Sequence, residues 1–197
     1  MESLRKWLGV AVLGLFGAAA LFGVINLLVN AGDTFDHGFE GDMVLVLGLP
    51  WILRLIGWVA IIAFAVLGVL KLLKAVEGLE DKVALLVLIE AILEFVVYFL
   101  ALIVYIKNDA IKHVAGKHWA LLFVTLLVIV ALLVRMFALK ENGLVGGIIL
   151  AACALAMFVV FIIFLDGAKE LALITWLFFM FAALGSVGVG VLGLLKK

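Results

Sequence analysis

LLVLIEAILEFVVYFLALIVYI, residues 85–106, is apolar throughout except for Glu90 and Glu94, one helical turn apart. A bilayer-crossing helix needs roughly 20 apolar residues, and this run reads as one. On membrane-insertion scales an acidic residue near a helix centre costs up to about 3 kcal/mol, while each Leu, Ile, Phe or Val returns roughly 0.3–0.6. The span Val83–Ile106 holds seventeen such residues, so gain and cost roughly cancel. The helix inserts, but without a margin for pointing its carboxylates at lipid. They are expected to face other helices or a wet interior.

The rest of the chain agrees with a lipid solvent. Of its 197 residues 69% are hydrophobic and 14% are charged, whereas soluble domains run near 45–50% apolar and about 25% charged. Five further runs are long enough to cross: Trp7–Val29, Pro50–Leu73, Trp119–Leu139, Leu144–Leu165 and Leu171–Leu195. The expected fold is therefore all-α, a single polytopic bundle of six transmembrane helices over residues 1–197. Lys140–Gly143 and Asp166–Glu170 leave room only for tight antiparallel hairpins. The first run begins with Arg5 and Lys6 like a signal peptide, but it exceeds the roughly 7–15 residues of a signal core and reads as a retained span.

Six spans put both termini on one side, with Arg5, Lys6, Lys71, Lys74, Lys82, Lys140, Lys196 and Lys197. The other side holds Lys107, Lys112, Lys117 and Lys169, with Arg54 just inside the second span. The basic excess makes the first side the expected cytoplasmic one. The net charge is zero, so there is no nucleic-acid footprint; the expected surroundings are the bilayer, with a second copy or another membrane protein as further partners.

Glu90 and Glu94 share one helix face with Tyr98, Ala101 and Tyr105, because residues three and four apart are neighbours on a helix. Two charges about 6 Å apart repel by ~3 kcal/mol at an effective dielectric of 20, so double ionisation calls for a nearby cation. Arg135 in the fourth span lies at a comparable depth to Glu90, and the sequence predicts that the two pair. Glu94 is then left without an obvious partner, with Tyr98 in reach of a hydrogen bond. Under a structural reading, Glu90, Glu94 and Arg135 fix helix pairing and Glu94 stays protonated. Under a functional one, Glu94 binds and releases a proton or cation, tuned by Glu90, Tyr98 and Arg135.

Other polar features carry less. Asp33, Asp36, His37, Glu40 and Asp42 crowd the non-cytoplasmic loop 30–49, where oxygen ligands suit a hard cation, although the spacing fits no EF-hand and solvated acids explain it as well. MVLVLGL, residues 43–49, reads as an interfacial segment or a lid over an external pocket. His113 and His118 read as lying in or beside a loop, so no haem is expected between spans. Cys153 is a lone thiol. Gly188, Gly190 and Gly193 match a dinucleotide fingerprint that needs a preceding strand; inside a span, close helix packing is the better reading, as for Gly14/Ala18 and Ala19/Gly23. Ser186 has no histidine partner within the spans, so no hydrolytic enzyme is supported. Thr125, Thr175 and Asn26 read as helix-to-helix hydrogen bonds, and the tryptophans mostly as an interfacial belt. The chain carries no recognised family motif and no expected cofactor. Its intramembrane carboxylates point to a small transporter or channel-like protein using them for proton or cation coupling; its glycine faces and short loops point instead to a non-catalytic subunit or scaffold.

Overall fold

The computed structural model describes residues 2–73, 79–107, 115–138, 143–165 and 170–194. All of the described secondary structure is helical, and six helices are long and apolar enough to span a membrane. They are α1 (Glu2–Val29), α3 (Leu49–Leu72), α4 (Leu79–Lys107), α5 (Ala115–Leu133), α6 (Gly143–Leu165) and α7 (Glu170–Leu194), with a short α2 (Ala31–His37) between the first two. The expected spans are all present, most with slightly longer helices.

The stretch before α3 departs from expectation. Val44–Gly48 forms a π-helical turn that runs directly into α3, so residues 43–49 extend the second span rather than standing apart as an interfacial segment. Pro50 explains the local geometry: it has no N–H to donate, and its ring crowds the preceding turn. A wider turn, closed by the Leu49 N–H on the Val44 carbonyl, accommodates it. Val46 then packs against Ala101 and Tyr105 of α4.

The six long helices pack as a ring in chain order. α1 lies on α3, α3 on α4, α4 on α5, α5 on α6 and α6 on α7, and α7 returns to α1. The closing seam uses small residues. A Cβ on Gly185 of α7 would sit 2.6 Å from Val12 Cγ2 and one on Gly188 would sit 3.4 Å from Leu8. On the other flank of α1, Gly17 meets Ala65 and Gly23 meets the Trp58 ring. Ala19 is fully buried, whereas Gly14 has nothing within contact range. Close packing is thus what Gly188 serves, within an unbroken helix and with no strand among the described residues.

Side-chain exposure is inverted relative to a soluble bundle. On α4 the outward face carries Leu86, Ile89, Leu93, Val96, Leu100 and Ile103, all exposed. Its inward face carries Glu90, Tyr98, Ala101 and Tyr105, all buried. An apolar exterior of this extent needs lipid around it.

Candidate functional site

The ring encloses a cavity of about 1330 Å³ lined from all six long helices. Both acidic groups facing it come from the inward stripe of α4. Glu90, Glu94, Tyr98 and Tyr105 all line the cavity, as the helical spacing requires.

Glu94 is held by a chain of two hydrogen bonds. Tyr98 Oη donates to Glu94 Oε1 at 2.5 Å and accepts from Arg54 Nε at 2.6 Å. The phenol therefore stands between a carboxylate and a guanidinium and links their charges through a short relay. Hydrogen bonds to ionised groups are the short, strong ones, and a buried charge is tolerated when it is paired and bonded. The bond from Tyr98 agrees with the sequence reading. Arg54 as the third member does not appear in that reading, which looked for a cation on Arg135's side of the membrane.

Glu90 sits differently. It is 8% exposed, and its Oε1 is buried without a hydrogen-bond partner. The carboxylate rests on Gly57 of α3, where a Cβ would come within 2.8 Å of Oε1 and 2.9 Å of Oε2. The expected pairing of Glu90 with Arg135 is not formed. Arg135 lies in a π turn, Val134–Ala138, at the end of α5, with its guanidinium 4.8 Å from the Phe64 ring centre. Phe64 is about 10 Å of helical rise from Gly57, too far for the side chain to close. Matching depths from sequence gives no sign that the Arg135 side chain turns onto Phe64.

His118 is a second correction. It is only 5% exposed and packs against two α4 phenol rings, edge-on to Tyr98 at 5.5 Å and tilted on Tyr105 at 4.3 Å. Its Nε2 is buried without a hydrogen-bond partner. One helical turn of α5 before the long apolar run carries it inward, a placement that a loop reading of residues 107–118 misses. His113 lies outside the described residues.

Aromatic rings form much of the remaining wall. Trp58 stacks on Phe179 at 5.2 Å, and Phe179 meets Phe16, Phe161 and Trp176 at 6.0, 5.5 and 6.0 Å. Trp58 and Trp176 therefore serve this cluster, and Trp51 donates to the Leu27 carbonyl at 3.2 Å. Comparison with protein families, with curated proteins and with solved structures finds no match for this chain.

The remaining candidates turn back on their own helices. Ser186 donates to the Ala182 carbonyl and Thr125 to the carbonyls of Leu121 and Leu122. Asn26 receives the Asn30 amide. These are local back-bonds, common for such residues, and neither Thr125 nor Asn26 is seen to bridge helices. In the loop, Asp36, His37, Glu40 and Asp42 are exposed, and the side chain of Asp33 lies outside the described residues. Among the described residues no three His, Cys, Asp or Glu side chains converge as a metal site.

Proposed function

We propose that this chain is a small membrane carrier, with both termini on the cytoplasmic side, that couples movement through its central cavity to a proton or cation held on Glu90 and Glu94. One observation supports the reading above the rest: both carboxylates face a cavity walled by every spanning helix. Ionisable groups within spans are expensive and mark ion or substrate pathways. The two carboxylates have unequal surroundings, since Glu94 is tied through Tyr98 to Arg54 while Glu90 Oε1 has no bonded partner. Glu90 is then the group that exchanges its ion, with Glu94, Tyr98 and Arg54 as the fixed counterpart. Arg135, at the end of α5, lines the same cavity and tunes the field along it.

The scaffold alternative would present the glycine faces to other proteins. Gly185 and Gly188 are instead used inside the chain, against Val12 and Leu8, which favours the carrier. The test is proton flux in proteoliposomes, read with a lumenal pH dye under an imposed membrane potential. The native chain is expected to exceed empty vesicles, and Glu90→Gln and Glu94→Gln to abolish that excess while eluting as folded protein. Flux unchanged by both substitutions would reject the reading.

A further inference from the structure

We propose that the cavity binds a lipophilic organic cation, with Glu90 as its anionic anchor and the aromatic wall around Trp58 as its apolar bed. This rests on the carrier reading and names its substrate class.

Three observations converge. Glu90 is more than nine-tenths buried, yet its Oε1 has no hydrogen-bond partner and its carboxylate borders the cavity. Its neighbour Glu94 is already answered by Tyr98 and Arg54, which leaves Glu90 as the carboxylate lacking a counter-charge. The same cavity has an aromatic wall: Trp58, the residue after Gly57 on which Glu90 rests, stacks on Phe179, with Phe16, Phe161 and Trp176 lining the same space. Aromatic faces attract cations most strongly when both are desolvated.

The same features select against a small hydrated ion. A hard metal cation wants six or more oxygen ligands, and no such cluster forms among the described residues. A cation whose charge is spread over an apolar body needs only one carboxylate and a hydrophobic surround. The lumen as a whole, about 1330 Å³ from one end of the bundle to the other, exceeds the roughly 300–1,000 Å³ of ordinary ligand pockets.

Other charged and titratable groups face the cavity, and none displaces this assignment. They are Arg5 and Lys6 from α1, Arg54 from α3, Glu94, Tyr98 and Tyr105 from α4, His118 from α5 and Arg135 beyond it. Arg54 is engaged by Tyr98. Arg135 lies over Phe64, about 10 Å along the bundle. Arg5 and Lys6 mark one mouth, roughly 28 Å from Glu90 by helical rise, well beyond the ~8 Å screening length of physiological salt. In the exchange, the protonated Glu90 releases its proton to solution as the cation arrives, and the carboxylate retains the cation's positive charge in its place.

The experiment uses the purified full chain and tetraphenylphosphonium, with tetraphenylborate as a probe of the same shape and opposite charge. Titration calorimetry is expected to show saturable phosphonium binding that weakens as pH falls and releases about one proton per cation, read from buffers of different ionisation heat. Tetraphenylborate is expected not to bind. Glu90→Gln should weaken phosphonium binding at least tenfold, with Glu90→Asp recovering part of it. Equal binding of both probes, absence of pH competition, or native affinity in Glu90→Gln would overturn the proposal. The first two of these need no variant to fold. Proton flux without phosphonium binding would sink the substrate class and leave the carrier reading; Glu90-dependent binding without flux would do the reverse.

Discussion

Glu90 and Gly57 face each other across the seam between α3 and α4, with the carboxylate occupying the space that a Cβ on Gly57 would need. The glycine is required there for room, since its backbone is ordinary helix. Gly57→Ala should push the carboxylate off its seat, at an overpacking cost of about 1–3 kcal/mol. The expected outcome is a lower thermal unfolding temperature in detergent together with loss of proton flux. Gly14→Ala, where nothing lies within 4 Å, is the matched control and should change neither.

The Arg54–Tyr98–Glu94 chain makes a second prediction, about coupling. Tyr98→Phe removes both bonds and leaves a buried carboxylate and guanidinium unbridged, an effect of about 1–3 kcal/mol per unsatisfied group. Arg54→Leu alone should be more damaging than Arg54→Leu combined with Glu94→Leu, because the single change strands a charge that the double change removes. A double-mutant cycle on unfolding free energy measures this directly. Additive effects would mean that Tyr98 does not join the two.

Ring closure can be tested by cross-linking. In a Cys153→Ser background, Val12→Cys with Gly185→Cys should form an intramolecular disulfide under mild oxidation, read as a shift on a non-reducing gel. The same cysteine at 12 with one at Leu86, on the outer face of α4, should not. An open arrangement of helices would leave the first pair as unreactive as the second.

His118 fills the space between Tyr98 and Tyr105 with an imidazole whose Nε2 is buried and unbonded. His118→Phe should therefore retain the ring contacts and cost little stability. His118→Ala opens a cavity and should lower the unfolding temperature clearly, on the scale of about 2–5 kcal/mol for large-to-small core changes. Equal losses from both would point to a polar role for the imidazole.

Hydrophobic length alone made the six spans legible, and the three-and-four spacing of Glu90, Glu94, Tyr98 and Tyr105 made the inward face of α4 legible. The third member of the Glu94 chain, Arg54, was not. The break between the second and third expected spans, residues 74–82, is centred on residue 78, and counting outward from it sets 54 opposite 102, a turn past Tyr98. Matching depths from estimated span ends paired Glu90 with Arg135, whereas the Arg135 guanidinium lies over the Phe64 ring. The ring was not legible. Small residues mark close packing on any membrane helix, and nothing in Gly185 or Gly188 says that the partner is the first span. His118 was hidden by its position next to a basic loop, where one turn of helix decides between solvent and interior.

The bonded chain from Arg54 through Tyr98 to Glu94 lies wholly within one hairpin, α3 with α4. Its consequence concerns biogenesis. As the nascent polypeptide leaves the insertion machinery, the guanidinium and the carboxylate can neutralise each other as soon as these two helices meet, before the later helices have docked. Glu90 and His118, with Arg135 at the end of α5, then need shelter from acyl chains until the last helix arrives and docks on the first.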